Sequence, residues 1–338
     1  MSTYSRLLES LKAEPRRWLV TGCAGFIGSH LTETLLAHGQ TVSGLDDFST
    51  GKRKNLDEIR SLLPADAWKK FRLVEGSICD LPACHEACRD VDFVLHQAAL
   101  VSVPQSIEDP IRCNNINVAG FLNVLVAARD AKAKHLIYAS SSAVYGDAPD
   151  LPSREENPAR PISPYGTSKL IDELYADVFT GNFGIPTIGL RYFNVFGPRQ
   201  DPAGGYAAVI PKWIAALLGG EAGQINGDGS NTRDFCHVAN VVQANILAAL
   251  SPSNTSSVFN VGLGARTSLN ELYEMIRAKV AGPNPKAGTL TAVHNPARPG
   301  DILHSQAKIT KIRSSLGYEP AVSVEQGLEE TVGWYARQ

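Results

Sequence analysis

Residues 17–28 read Arg-Trp-Leu-Val-Thr-Gly-Cys-Ala-Gly-Phe-Ile-Gly. The first five, 17–21, are a mostly apolar run of strand length, and glycines follow at 22, 25 and 28. From Phe26 to Ala37 one face is apolar at helical spacing. Strand, glycine turn and helix in that order open a βαβ unit. Gly22 allows the tight turn, Gly25 a close backbone approach to a pyrophosphate, and Gly28 close packing of the helix on the sheet. The helix N-terminus adds N–H donors and positive potential. Asp46 ends a second strand eighteen residues after Gly28. It can accept hydrogen bonds from an adenosine ribose diol and would repel a 2′-phosphate, which favours NAD over NADP. Lys52, Arg53 and Lys54 pull the other way, since a 2′-phosphate needs such cations.

Working outward, strand-length runs recur at Thr41–Asp46, Phe71–Glu75, Asp92–His96, His135–Ser140 and Thr187–Arg191. Most are followed by ten or more residues of helical spacing, including two long stretches at 113–132 and 164–183. This alternation predicts an α/β fold, a doubly wound parallel sheet of Rossmann type with a smaller α/β substrate-binding lobe. Beyond Phe196 glycine and proline become more frequent, and helical patches at 210–219, 238–250, 267–280, 305–316 and 324–336 alternate with short extended runs. Val258–Gly262 reads as a strand returning to the first sheet, so the second lobe is discontinuous. The expected division is 1–196 with 235–262 for the dinucleotide, and 197–234 with 263–338 for the substrate. Residues 3–13 add a helix before the first strand.

The 338 residues are 43% hydrophobic and 20% charged, an ordinary globular balance. A formal net charge of -2 gives no overall pull toward nucleic acid or anionic membrane, so neither is expected as a partner. No stretch approaches the roughly 20 apolar residues that cross a bilayer. The N-terminal residues lack the apolar core of a signal peptide, and the six cysteines are scattered, which together suggest the cytoplasm. Cys84, His85 and Cys88 lie close together without a second Cys/His pair, and read as ordinary helix residues rather than a zinc site; no metal is expected.

The second long helix carries Tyr165-Gly-Thr-Ser-Lys169, a phenol and an amine at i and i+4 that face the same way. A nearby ammonium favours the phenolate, which can then take a proton from a sugar hydroxyl while hydride leaves the same carbon. Alone, that spacing usually marks an exposed helix face. Here it follows a strand ending in Ser140-Ser141-Ser142-Ala-Val-Tyr-Gly146, and ligands of open α/β sheets bind beyond the carboxyl ends of the strands. A serine hydroxyl at that end can hydrogen-bond the reacting oxygen. The same serines can also do no more than cap the turn.

With these residues in view, the chain resembles the extended short-chain dehydrogenase/reductases over nearly its whole length. Within them it looks like the UDP-hexose 4-epimerases, particularly the UDP-N-acetylglucosamine branch. The motifs are T21GCAGFIG28, H96QAA99, S140SSAVYG146, Y165GTSK169, L190RYFNVFGP198, N226GDG229 with R233DF, and R298PGD301. The resemblance implies bound NAD, held by Gly22, Gly25, Phe26, Ile27, Gly28, Asp46, Ala98 and Lys169. It implies that Ser141, Tyr165 and Lys169 are catalytic. Ser141, Ser142, Tyr165, Asn194, Ala208, Val209, Arg233, Arg298, Asp301 and Ser305 would contact a UDP-sugar. Forked guanidinium donors suit the diphosphate oxygens, as expected of Arg233 and Arg298. The implied reaction is redox-neutral: Tyr165 takes the 4-OH proton, hydride passes to NAD, the 4-keto sugar turns over, and hydride returns to the opposite face. A homodimer formed through the two long helices is implied as well.

Related 4,6-dehydratases and uronate decarboxylases carry carboxylates just after the central hydroxyl residue. Here Ser142 and Ala143 stand there, which favours plain epimerisation. Ser305 stands where epimerases restricted to unacetylated hexoses resemble one another in a bulky tyrosine, and a small residue leaves room for a 2-acetamido group. Two departures stand out. Ser77 replaces an aspartate that reaches the adenine, and Val101 replaces a glycine beside the sugar pocket, which keeps uronic acid substrates open. Two other readings are an oxidoreductase that releases NADH and a non-catalytic dinucleotide-binding scaffold. The intact Ser141, Tyr165 and Lys169 set argues against the scaffold.

Overall fold

The computed structural model describes residues 2–148, 150–203, 207–252, 255–297 and 302–338. Seven strands form the central sheet: β1 Arg17–Thr21, β2 Thr41–Asp46, β3 Phe71–Glu75, β4 Phe93–His96, β5 His135–Ser141, β6 Thr187–Tyr192 and β7 Ser257–Val261. All neighbours are parallel, in the order β7-β6-β5-β4-β1-β2-β3. The order reverses at β1 and β4, so a crevice opens beyond their carboxyl ends. β7 pairs with β6 from Ser257 opposite Ile188 to Val261 opposite Tyr192, as expected of a returning strand.

Burial on both faces explains why these strands read as unbroken apolar runs. One face packs Leu31, Leu35 and Leu36 of the helix Phe26–Ala37 with Val241 and Leu247 of the helix Val238–Ala249. The other packs Phe121 and Leu125 with Ala176 and Phe179. A third cluster, including Phe196, Trp213, Ile225, Tyr273 and Leu328, lies outside the sheet and fills the smaller lobe.

Two helical expectations need correction. The stretch 113–132 is not one helix. It runs as Pro110–Asn114, a π-helical turn Asn115–Ala119, and Gly120–Asp130. The cause is tertiary: Asn117 turns inward, accepting from the Leu100 N–H at 2.7 Å and donating to its carbonyl at 3.0 Å. At Gly120 a Cβ would lie 2.8 Å from the Ile78 side chain. The patch 305–316 is helical only at Thr310–Leu316. Residues 305–308 stay extended because their backbone bonds elsewhere: Ser305 N–H to the Thr232 carbonyl, Lys308 N–H to the Ser153 carbonyl, and the Gln306 carbonyl to Ser153 N–H.

The helix Pro164–Phe183 has sharp ends. Ser163 caps it by accepting from Gly166 N–H at 3.1 Å, and Gly184 closes it at φ 70°. Its inward face carries Lys169, Asp172, Glu173, Ala176 and Phe179. Among the described residues, no helix is long and apolar enough to cross a membrane.

Candidate functional site

Thr21 ends β1 and organises the crevice. Its hydroxyl accepts from Gln97 N–H and Ala98 N–H, both at 3.1 Å, and meets His96 Nδ1 at 2.9 Å. Gly22 follows at φ 68°, and a Cβ there would lie 3.0 Å from the Ala98 nitrogen. A Cβ at Gly28 would lie 2.0 Å from the Gly22 carbonyl oxygen, so only glycine lets the helix start this close to the turn. Phe26 and Ile27 form the first turn, and Gly25 caps it without a side-chain acceptor. Such an end suits a phosphate.

Asp46 closes the crevice from β2. Its two oxygens accept from Ala24 N–H at 2.8 Å and Phe48 N–H at 2.9 Å. Burial pushes its pKa up, while the two amides favour the ionised form. The remaining lone pairs suit a ribose diol. Of the nearby cations, Lys52 pairs with Asp201, and Arg53 pairs with Glu75 at 2.6 Å and stacks 4.0 Å from the Phe48 ring centre. With those two cations engaged elsewhere, the crevice favours NAD over NADP. The Ser77 hydroxyl accepts from Cys79 N–H at 3.3 Å and hydrogen-bonds Asp47, tying two loops at this end of the crevice.

At the end of β5 the serines divide their work. Ser140 donates to Glu173 Oε1 at 2.6 Å, and Arg191 grips both Glu173 oxygens, at 2.9 and 2.7 Å. Ser141, half-buried, accepts from Ala143 N–H at 3.1 Å, and Ser142 begins a short 3₁₀ turn. That turn packs on the start of the long helix, where a Cβ at Gly166 would lie 2.6 Å from the Ala143 carbonyl oxygen. Tyr165 N–H donates to Ser106 Oγ at 3.1 Å. The Ser168 hydroxyl donates to the Tyr165 carbonyl at 2.8 Å and accepts from Asn117 at 2.9 Å. Lys169 is 1% exposed, its ammonium 3.2 Å from Asp172 Oδ2. His96 is buried nearby; desolvation, with Lys169 adding to it, lowers its pKa to about 3, so the imidazole is neutral. The structure thus gathers Ser141, Ser142, Tyr165 and Lys169 beyond the carboxyl ends of β4 to β6.

Asn194, Ala208, Val209 and Arg233 line one cleft of about 330 Å³, together with Phe196 and Trp213. Ala208 precedes the first turn of the helix Val209–Leu218. The Arg233 guanidinium donates to the carbonyls of Thr232, Ile302 and Leu303. Ser305 bonds Thr232 beside it, and its own buried hydroxyl has no hydrogen-bond partner among the described residues. Arg298 and Asp301 lie outside the described residues. Cys84 and Cys88 are buried and His85 meets Asp130 at 3.2 Å. The described residues contain no group of three or more His, Cys, Asp or Glu placed to hold a metal.

A profile of the NAD dependent epimerase/dehydratase family matches residues 18–262, from β1 through β7. The chain belongs to that family. UDP-N-acetylglucosamine 4-epimerase from Methanobrevibacter ruminantium M1, solved with UDP-N-acetylmuramic acid, is 38% identical, with 96% of this chain and 99% of that one covered and a TM-score of 0.87. UDP-glucose 4-epimerase of Thermus thermophilus, solved with NAD, is 35% identical, with 94% and 98% covered and a TM-score of 0.81. UDP-N-acetyl-alpha-D-glucosaminuronate decarboxylase of Bacillus cytotoxicus is 33% identical over 329 residues, 95% of this chain and 98% of the relative. The protein is an NAD-dependent enzyme of the UDP-sugar 4-epimerase family.

Within this family member, three features escaped the reading of the sequence. Asn117 ties the Leu100 backbone to Ser168, and nothing local marks an asparagine inside an apolar helical pattern as inward-facing. Glu173 and Asp172 sit four and three residues after Lys169 on its face, so helical spacing alone could have found them. Their partners on other elements could not be found that way.

Proposed function

We propose that this enzyme interconverts UDP-N-acetylglucosamine and UDP-N-acetylgalactosamine, and accepts the corresponding uronic acids, through a 4-keto intermediate. The observation that carries the choice of an N-acetylated sugar is Ser305. It is small, lies beside Arg233, and keeps a buried hydroxyl with no partner among the described residues, which can meet a polar substituent of the substrate. Asn194, Ala208, Val209 and Arg233 take the uridine diphosphate in their shared cleft, and Arg298 and Asp301 complete that grip. The division of the chain into a dinucleotide domain and a discontinuous substrate domain goes with this reading.

In the proposed mechanism Tyr165, as phenolate, accepts the 4-OH proton, and the Ser141 hydroxyl holds the same oxygen in line. Lys169 stabilises the phenolate and holds the nicotinamide ribose. NAD, when bound, supplies the hydride acceptor at C4 of the sugar. Once the 4-keto sugar has turned its other face to the site, return of the proton from Tyr165 would complete the 4-epimer with no net redox change, so a bound cofactor would not need to exchange. Ser142 and Ala143 provide no carboxylate for the further acid–base steps of elimination or decarboxylation.

The test uses purified protein without added cofactor. Incubated with UDP-N-acetylglucosamine and, separately, its uronate, it should yield the 4-epimer in the anomeric NMR signals. No 4-epimer from either compound refutes the assignment. Net absorbance growth at the nicotinamide band would instead favour an oxidoreductase.

A homodimer accompanies the proposal. Leu174 and Val178 on the long helix, with Ile107 and Ile111 on the short helices Val103–Glu108 and Pro110–Asn114 packed against it, are 51–73% exposed, an apolar face that suits a second copy. Light scattering should give twice the chain mass, and Leu174→Glu with Val178→Glu should halve it.

A further inference from the structure

Lys169 and Asp172 form an ion pair sealed inside the protein, with side chains 2% and 1% exposed and 3.2 Å between Nζ and Oδ2. The other oxygen, Oδ1, has no hydrogen-bond partner among the described residues. A buried pair seldom repays the desolvation of both charges, and one left half-satisfied repays less. The next residue shows the contrast: Glu173 has both oxygens on Arg191 and a further bond from Ser140. Packing therefore does not explain Asp172, whereas its position three residues from Lys169 does.

We propose that Asp172 is a positioning residue of the reaction centre, whose carboxylate holds the Lys169 ammonium and governs how much of its charge reaches the Tyr165 phenol. The proposal rests on Tyr165 being the base. An ammonium beside a phenol favours phenolate, and a carboxylate on the ammonium's other side cancels part of that field. Ionised Asp172 makes Tyr165 harder to deprotonate; neutral Asp172 leaves the full charge of Lys169 acting on it. The two protons are thus coupled and leave in two overlapping steps.

Several groups surround Asp172. Glu173 adjoins it on the same helix and adds a like charge, which Arg191 on β6 offsets by pairing with Glu173. Tyr138 on β5 presents a buried phenol that has no hydrogen-bond partner among the described residues and feels Asp172, Glu173, Asp177 and Arg191. Cys113, from the helix Pro110–Asn114, feels both Lys169 and Asp172, and the neutral His96 on β4 feels Lys169. Burial raises Asp172 to about 7, with Lys169 pulling it back down. Its switch from neutral to charged therefore falls in the working range of pH.

The experiment titrates tyrosinate by ultraviolet difference absorbance in the NAD-loaded enzyme, with Tyr165→Phe in each background to isolate that residue. In Asp172→Asn the Tyr165 titration should move to lower pH by about one unit, the scale on which a neighbouring charge acts. The acid limb of the kcat profile should move with it, while KM for the sugar nucleotide stays within about twofold. Asp172→Glu, which keeps the charge, should titrate like the parent. An unshifted titration in Asp172→Asn overturns the proposal. Should that variant not fold, the parent enzyme decides: a Tyr165 titration broader than one proton supports the coupling, and a simple one-proton curve overturns it. Full turnover by Tyr165→Phe would instead sink the reading of the reaction centre itself.

Discussion

The neighbouring carboxylates Glu173 and Asp172 leave the same helix turn toward different surroundings. Glu173 joins a closed network: Arg191 holds both its oxygens, and the Arg191 guanidinium lies 4.7 Å from the Tyr145 ring centre. Tyr145 donates to Asn260 on β7 at 2.6 Å, and Asn260 donates to the Ser153 carbonyl. Among the described residues Asp172 has a single ion-pair partner, and that partner is Lys169, the lysine of the proposed reaction centre. A satisfied buried charge stitches elements together. A half-satisfied one keeps capacity for chemistry.

The largest effect expected from breaking this contrast lies on the structural side. Arg191→Met strands the Glu173 charge and should lower stability by about 3–5 kcal/mol in urea unfolding, whereas Arg191→Met with Glu173→Leu should recover most of that loss. On the chemical side, Ser141→Ala should lower kcat by about 10²–10³-fold, the scale of removing one donor at a reacting oxygen, with a stability loss of only about 1 kcal/mol from the missing cap on Ala143 N–H. Its neighbour should behave in the opposite way. Ser140→Ala removes a bond to a charged carboxylate and should reduce stability by about 1.5–3 kcal/mol with little change in kcat.

A further test sharpens the contrast through pH. The folded state holds the Asp172 proton up to about 7, against an ordinary value of 3.8 for a free side chain. Between those values the folded chain binds more protons than the unfolded one, so this group's contribution to stability is present at low pH and is lost as pH rises through about 7. Asp172→Asn should flatten that part of the stability profile, measured by thermal melts across the range. An unchanged slope would mean that the carboxylate is already ionised well below pH 7.

The sequence made the cofactor half legible because its signals are local. A strand, three glycines and a helix within 17–37 need only their own neighbours, and Gly28 against Gly22 shows why the spacing tolerates so little. The helix that carries Tyr165 and Lys169 was readable for the same reason. The π-helical turn at Asn115–Ala119 was not, since Leu100 and Ile78 cause it from other elements. Residues 305–308 carry helical spacing yet lie extended, because Thr232 and Ser153 claim their backbone. The pairings of Glu173 and of Lys52 likewise depend on residues brought close only by folding.

The returning strand β7 bears on how the chain is made. β6 ends at Tyr192, and its partner begins only at Ser257. While a ribosome is still delivering the intervening segment, β6 offers a bare edge, from a strand buried along its whole length in the finished fold, to any other nascent chain. Arrest of synthesis before Ser257 should therefore yield an aggregation-prone fragment, and an in-frame deletion of 257–261 should leave the same edge open for good.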